Sequence, residues 1–249
     1  MVRIASLLAL VVVAVAAAVI AVRLPSGPFG TPAQTPSPTP RPRQLLVLGD
    51  SIGTGAGATT TYADELAARL DPPADIRNLA RNGWTTVDLL AALRDDPLFR
   101  GAVAEADLVT VTIGGNDLLA ARRAYLDGTC GGADGLDCVR TAVAQLAERW
   151  DAIAAELTAL AREDATIATA TIYDPFRGVT SDAAVTATLD GYLAQANAAI
   201  RERAEAHGIA VAPVAEAFAD RPDLISDDGI HPNDAGHERI AEVLAGMLR

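Results

Sequence analysis

The sequence predicts an α/β fold, a three-layer α/β/α sandwich built on a parallel sheet of about five strands. From residue 44 onward, short β-branched runs alternate with longer amphipathic stretches, which is the pattern of βαβ units. The runs ADLVTVTIGG (106–115) and TIATATIYD (166–174) do not alternate apolar with charged residues, as expected of parallel strands buried on both faces. A chain of 249 residues with 50% apolar residues can bury one sizeable core.

The elements follow in order along the chain. Five short runs rich in Val, Ile, Leu and Thr are predicted as strands, at 45–48, 76–79, 108–113, 166–172 and 209–211. The amphipathic stretches between and after them are predicted as helices, at 62–70, 86–94, 139–162, 189–206 and from 233 to the C-terminus. Each of the first four predicted helices precedes a strand, so successive strands can lie parallel.

The first 24 residues are predicted to be a signal peptide or a single transmembrane anchor. Residues 4–22 form an uninterrupted apolar run between Arg3 and Arg23. As a helix this run would reach about 28 Å, close to the roughly 30 Å thickness of a bilayer's hydrocarbon core. Its small residues also suit cleavage by signal peptidase, so both interpretations stay open.

Residues 25–43 are predicted to be an extended linker. The segment PSGPFGTPAQTPSPTPRPR holds seven of the 14 prolines and has almost no apolar residues, so it cannot bury enough surface to fold. An apolar segment, a stiff linker and a domain at 44–249 together predict an extracytoplasmic protein. The domain would be secreted, or held at the membrane through residues 4–22.

Cysteine content and charge narrow the possible partners. Cys130 and Cys138 are the only cysteines and flank a Gly- and Asp-rich loop, so in an exported protein we predict a disulfide. A metal site would need two further ligands nearby, and we predict none. From residue 44 onward, 16 arginines face 32 acidic residues, a net charge of −16. Such a surface argues against nucleic acid as a partner and favours neutral substrates over polyanions.

Asp50 and Ser51 stand where the first predicted strand ends at Gly49. Ligands of open parallel sheets bind beyond the carboxyl ends of the strands, so the hydroxyl of Ser51 would project into that crevice. A serine hydroxyl is a poor nucleophile unless an adjacent base takes its proton and a third group orients that base.

The chain has three histidines that could be that base. His207 precedes Gly208 at a predicted helix end, and His237 falls inside the last predicted helix, where we expect a surface position. His231 follows Asp228 by three residues in the loop SDDGIHPND, so the carboxylate can accept the proton of Nδ1 and leave Nε2 facing Ser51. A purely structural role for the aspartates of this turn remains open.

Acyl transfer also needs hydrogen-bond donors for the oxyanion of the tetrahedral intermediate. Gly83 in NGWTT offers a closely approachable backbone, and Asn116 in IGGND offers an amide beyond a strand end. Gly83 as a simple turn residue, and Asn116 or Asp117 as a helix cap, are the competing interpretations.

Together these residues resemble the SGNH (GDSL-type) hydrolase superfamily. The blocks Gly49-Asp50-Ser51, Gly83, Gly114 to Asp117 and Asp228 to Pro232 occur in that family's order and approximate spacing. The resemblance implies a flavodoxin-like sandwich and a serine esterase that needs no cofactor or metal. It implies Ser51 as nucleophile, His231 as base, Asp228 as its orienting partner, and an oxyanion hole formed by Ser51, Gly83 and Asn116. We expect a monomer.

Other interpretations compete with this one. GDSIG also fits the G-x-S-x-G elbow of α/β-hydrolases, but that fold needs strands before its serine. A metallophosphoesterase would need more histidines. An acyltransferase on the same scaffold, or a non-catalytic module that binds a glycan or cell-wall component, stays open. Lipid, small acyl and acetylated glycan esters all remain possible substrates, and Trp84, beside Gly83, is a candidate for lining the substrate pocket.

Overall fold

The computed structural model describes residues 41–177 and 181–248. Five strands form one sheet: β1 (Gln44–Gly49), β2 (Asp75–Asn78), β3 (Leu108–Thr112), β4 (Thr166–Ala170) and β5 (Ala210–Ala212). The helices are α1 (Ser51–Thr54), α2 (Tyr62–Arg69), α3 (Thr86–Asp95), α4 (Pro97–Glu105), α5 (Gly115–Leu126), α6 (Asp137–Leu160), α7 (Ala183–Ala206), α8 (Val214–Phe218) and α9 (Asp234–Ala245). A short 3-10 helix spans Pro222–Leu224.

The sheet is parallel throughout, with strand order β2-β1-β3-β4-β5. All five predicted strands are present within two residues of the predicted bounds, which confirms the α/β prediction. The chain runs from β1 outward to β2, then returns past β1 to β3. This reversal leaves a crevice at the carboxyl ends of β1 and β3, the position where such sheets bind their ligands.

The two faces of the sheet bury separate cores. Leu46 and Leu48 of β1 point into a core formed with α3, α4, α6 and α7, which includes the fully buried Trp150. Leu45 and Val47 point to the other face, where α2, α8 and α9 pack. Because successive side chains of a strand alternate between faces, a strand buried on both faces must be apolar at every position. The unbroken apolar run of β1 follows from this arrangement.

Four α-helices of the described chain were not among the predicted elements: α1, α4, α5 and α8. Asp96 accepts a hydrogen bond from the amide of Leu98 and caps α4, whose first residue is Pro97. The four-residue α1 starts at Ser51 itself, and α5 starts at Gly115 with Gly114 at the N-cap, so neither Asn116 nor Asp117 is the cap. Both α1 and α5 begin close to glycines, and their starts were not recognised in the sequence.

The predicted signal peptide or anchor at 1–24 and most of the predicted linker at 25–43 lie outside the described residues. The described chain opens on an ion pair, in which Arg41 donates to Asp107 with N–O distances of 2.9 and 2.7 Å. No helix within 41–177 or 181–248 is long and apolar enough to cross a membrane.

Candidate active site

The turn that carries Ser51 depends on Gly49. Gly49 has a φ of +123°, and a Cβ atom there would lie 1.9 Å from the carbonyl oxygen of Thr112 on β3. Only glycine fits this close approach. The amide of Asp50 donates to the same Thr112 oxygen at 2.9 Å, and the Asp50 carboxylate accepts from the amide of Ile52 at 3.0 Å. These contacts hold Ser51 at the first turn of α1, directly beyond the end of β1.

Asp50 is almost fully buried beside the nucleophile. Burial raises the pKa of its carboxyl to about 7, and repulsion from Asp117 adds to the rise, while the hydrogen bond from Ile52 opposes it. With this pKa, the carboxyl of Asp50 is half protonated near neutral pH. The charge of the crevice beside Ser51 is therefore sensitive to pH in the neutral range.

His231 sits in a loop that folds back on itself. The amide of Ser226 donates to the carbonyl oxygen of His231 at 2.8 Å, next to an antiparallel bridge between Ile225 and Pro232. Gly57, with a φ of +88°, packs so closely that a Cβ atom there would lie 2.8 Å from Cβ of His231. The backbone and Cβ of His231 are therefore held in place by Ser226 and Gly57.

The structure brings the three predicted catalytic side chains into one hydrogen-bonded chain. Nε2 of His231 lies 2.9 Å from Oγ of Ser51, although 180 residues separate them in sequence. Nδ1 of His231 lies 2.6 Å from Oδ2 of Asp228. With the proton on Nδ1 donated to the carboxylate, Nε2 is the acceptor for the serine hydroxyl. This is the geometry that a serine nucleophile and its base require.

Asp228 is held by more than the imidazole. Its Oδ1 accepts from Oγ of Ser226 at 2.9 Å, from the amide of Ile230 at 2.8 Å and from the amide of His231 at 2.9 Å. Burial acts to raise the pKa of this carboxyl, but the hydrogen bonds from His231, Ile230 and Ser226 outweigh it and hold the pKa well below its usual value. Asp228 is therefore ionised wherever the domain is folded near neutral pH.

The three predicted oxyanion donors also meet here. Ser51, Gly83 and Asn116 line the same cavity. Nδ2 of Asn116 donates one hydrogen to the carbonyl oxygen of Trp84 at 2.8 Å. A primary amide carries two N–H donors, so this bond fixes the orientation of the group and leaves its second hydrogen for a ligand.

A buried carboxylate fixes the segment that carries Asn116, and sequence reasoning had not assigned it this role. Asp117 accepts from the amide of Thr86 at 3.0 Å, from the Thr86 hydroxyl at 2.6 Å and from Arg149 at 3.2 Å. It thereby ties the start of α5 to the start of α3, three residues after Gly83. The two stretches that carry the candidate oxyanion donors are locked together.

Tyr173 is a second residue that sequence reasoning missed. Its hydroxyl donates to the carbonyl oxygen of Ile230 at 2.7 Å, immediately before His231, and its ring stacks on Phe218 with centroids 4.6 Å apart. Tyr173 follows the end of β4 as Asn116 follows the end of β3. This position beyond a strand end was the signal that could have identified it.

Other predicted residues lie elsewhere. Trp84 is not among the described residues that line the cavity. Its ring stacks on Phe99, with ring centroids 5.3 Å apart, and packs against the core. The predicted role of Trp84 in the substrate pocket therefore has no support. His207 is the C-cap of α7, as predicted. The predicted surface position of His237 is wrong. This residue is fully buried and its Nδ1 accepts from the amide of Tyr62 at 3.1 Å, because α9 packs on α2.

The predicted disulfide is present, with Cα atoms of Cys130 and Cys138 4.8 Å apart. It closes the loop between α5 and α6. Throughout the described ranges, no group of three or more His, Cys, Asp or Glu residues is placed to hold a metal ion.

Comparisons with known proteins found relatives in sequence and in structure. The profile of the GDSL-like lipase/acylhydrolase family matches residues 47–239, which include all the residues assembled above. The chain is 42% identical over 65 residues to the GDSL lipase Rv0518 of Mycobacterium tuberculosis. That match covers 25% of this chain and only 28% of the relative.

Two solved structures show the same fold. The lipase Lip_vut3 from a goat rumen metagenome has a TM-score of 0.71 at 22% identity, over 83% of this chain and 99% of that one. Phospholipase A1 from Streptomyces albidoflavus NA297 has a TM-score of 0.63 at 22% identity, over 83% of this chain and 100% of that one.

Proposed function

Because the chain belongs to the GDSL-like lipase/acylhydrolase family, a family of carboxylic ester hydrolases, we propose that it is an exported serine esterase that acts through an acyl-serine intermediate. The observation that carries this proposal is the chain of hydrogen bonds from Ser51 through His231 to Asp228. A side chain cannot act as a nucleophile here without a base within hydrogen-bond reach, and Ser51 has one.

The reaction proceeds in two halves. In the first, Oγ of Ser51 attacks the ester carbonyl carbon while Nε2 of His231 takes the hydroxyl proton. The tetrahedral intermediate collapses as His231 returns that proton to the departing alcohol, which leaves the acyl group on Ser51. In the second half, His231 takes a proton from water while the water oxygen attacks the acyl carbon. The new intermediate collapses as His231 returns this proton to Oγ of Ser51, and the acid is released.

Asp228 and the oxyanion donors support both halves. The carboxylate of Asp228 stabilises the imidazolium that forms on His231 and keeps its Nε2 turned towards Ser51. The amides of Ser51 and Gly83 and the side chain of Asn116 stabilise the negative charge that develops on the carbonyl oxygen. Hydrogen-bond donors that are already in position need no reorganisation during the reaction. The hydrogen bonds of Asn116 and Asp117 hold these donors in position.

An extracytoplasmic location is part of the proposal. The disulfide between Cys130 and Cys138 supports it, since disulfides persist in oxidising compartments. The apolar run at 4–22 offers the means of export or anchoring.

Hydrolysis of p-nitrophenyl esters from acetate to laurate by the full chain tests the proposal. We expect Ser51→Ala to lose at least about 10³-fold in kcat/KM, because the hydroxyl is the nucleophile. The matched control is Ser181→Ala, at an exposed serine outside the cavity, and it should retain wild-type rates. Equal activity of Ser51→Ala and the wild-type protein on any of these esters would refute the mechanism.

A further inference from the structure

The cavity beside the candidate nucleophile changes in chemistry along α5. Its volume is about 500 Å³. Asn116 lines it at the start of this helix, Leu118 and Leu119 line it in the middle, and Arg122 and Arg123 line it towards the helix end. The cavity therefore offers apolar and cationic surfaces in one space, and the mechanism proposed above uses no cationic group on α5.

Neither of these two arginines has an acidic partner in the described chain. Most arginines of the domain do have one, as Arg177 at the same cavity has in Asp220. Within the described residues, the side chains of Arg122 and Arg123 form no ion pair and no hydrogen bond. The residues outside the described ranges contain no Asp or Glu. In a domain whose 32 acidic residues outnumber its arginines, two neighbouring guanidinium groups without a carboxylate point to a ligand that supplies the negative charge.

Arg122 is held in place by an aromatic ring. Its Cζ lies 3.8 Å from the ring centroid of Phe176, in the segment after β4. The stack covers one face of the guanidinium plane and leaves the N–H groups, which point outward in that plane, available for a ligand. A guanidinium fixed in this way can bind an oxyanion through two parallel hydrogen bonds.

Arg123 has another explanation. It is exposed and lies in the last turn of α5, where a positive charge complements the helix dipole. Arg122 is half-buried and fixed by Phe176, so the inference rests on Arg122.

Two carboxylates limit the charge of the ligand. Asp174 and Asp190 also line the cavity, and the domain from residue 44 onward has a net charge of −16. Both features repel a ligand with several negative charges. A single negative charge that contacts Arg122 directly gains hydrogen bonds that offset this repulsion.

We propose that Arg122 binds a singly charged oxyanion, a carboxylate or a phosphodiester, that the ester substrate carries away from its scissile bond. This inference rests on the proposed esterase function and adds a specificity-determining residue to it. Leu118 and Leu119 fit an apolar spacer between the ester and the anion. The substrate class is an ester with one anionic group, which differs from the neutral ester expected from the net charge.

Binding to the full-length Ser51→Ala variant tests this site without turnover. Isothermal titration compares monomethyl suberate with its neutral counterpart dimethyl suberate, and hexyl methyl phosphate with hexyl dimethyl phosphate. We expect at least one anion to bind about tenfold more tightly than its neutral counterpart, because charge-assisted hydrogen bonds form. The carboxylate and phosphate pairs identify which anion the site prefers. Equal affinity within both pairs would overturn the proposal.

Adding Arg122→Gln should abolish the preference for the anion, because the amide is polar but carries no charge. The matched control is Arg43→Gln, which removes the same charge at an exposed arginine just before β1, at the end of the sheet away from the cavity. This control should leave the preference unchanged. Should Arg122→Gln fail to fold, Arg122→Met replaces it. An equal loss in both variants would assign the preference to net charge and overturn the role of Arg122.

Salt provides a readout that a merely structural role of Arg122 would not change. Raising NaCl from about 0.05 M to about 0.5 M should reduce the preference for the anion at least threefold, because ions screen a partly exposed charge pair. In Arg122→Gln the ratio of the two affinities should not depend on salt. A preference that is the same at both salt concentrations would contradict an ionic contact.

The two proposals fail separately. Ser51-dependent hydrolysis of p-nitrophenyl esters by a protein that prefers neither anion would overturn the anion site and leave the esterase standing. A preference that depends on Arg122 in a protein that hydrolyses no ester would overturn the esterase mechanism and leave an anion-binding site.

Discussion

The hydroxyl of Tyr173 donates a hydrogen bond to the carbonyl oxygen of Ile230, 2.7 Å away and one residue before His231. This contact joins the end of β4 to the loop that carries the candidate base. The ring of Tyr173 is buried and stacked on Phe218, so its hydroxyl holds the residue before His231 from a fixed position.

Tyr173→Phe should therefore lower kcat for p-nitrophenyl esters about threefold to tenfold with little change in KM. The variant removes one hydrogen bond and leaves a carbonyl oxygen without its donor, which costs on the order of 1 kcal/mol. Tyr62→Phe is the control, since it removes another buried hydroxyl, one that contacts Thr110 in the core. A positioning role for Tyr173 would be excluded if both variants lost stability alike and neither lost kcat.

Asn116→Ala should reduce kcat by about 10²- to 10³-fold, as removal of one oxyanion donor does in other acyl-transfer enzymes. KM should change little, because the donor acts mainly on the charge of the transition state. Steady-state hydrolysis of the preferred ester measures both constants. A wild-type rate in this variant would mean that Asn116 is not an oxyanion donor.

Asp228→Asn should lower kcat by about 10⁴-fold, as seen when the orienting aspartate of such a triad is replaced by its amide. The amide NH₂ can donate to Nδ1 and would turn the imidazole to the wrong tautomer. The neighbouring Asp227→Asn, at an exposed residue, is the matched control and should keep full activity. Similar losses in both variants would point to a general effect on the loop.

Asp50→Asn should change how stability depends on pH. The folded pKa of Asp50 is raised to about 7, so between pH 4 and 7 the folded state binds more protons than the unfolded state. The free energy of unfolding contributed by Asp50 therefore falls as pH rises through this window, by at most about 4 kcal/mol, and is constant above it.

Urea unfolding of both proteins at pH 4 to 8 measures this effect. The stability of Asp50→Asn relative to the wild-type protein should rise with pH up to about 7 and then level off, because the amide has no charge to bury. The amide oxygen can still accept from Ile52, so the cap of α1 is retained. Parallel stability curves for the two proteins would show that Asp50 is ionised in the fold at its ordinary pKa.

Much of the candidate site could be predicted because its signals are local. The turn after β1 needs a glycine at Gly49, and the spacing of Asp228 and His231 lets one short turn bring carboxylate and imidazole together. The helix α5 was not predicted, because its start is set by Gly114 in a left-handed conformation and its apolar side faces a cavity and α6.

The sequence by itself determined the parallel α/β fold and the order of its strands along the chain, and it supplied the candidates for the reacting side chains. These features depend on hydrophobic periodicity and on residue chemistry, and both can be recognised within short stretches of the sequence. Only the tertiary structure decided that Nε2 of His231 meets Ser51, that His237 is buried, that Trp84 packs in the core and that Tyr173 holds the loop. Such contacts join residues far apart in sequence, and they exist only once the packing of helices on both faces of the sheet fixes the distances between them.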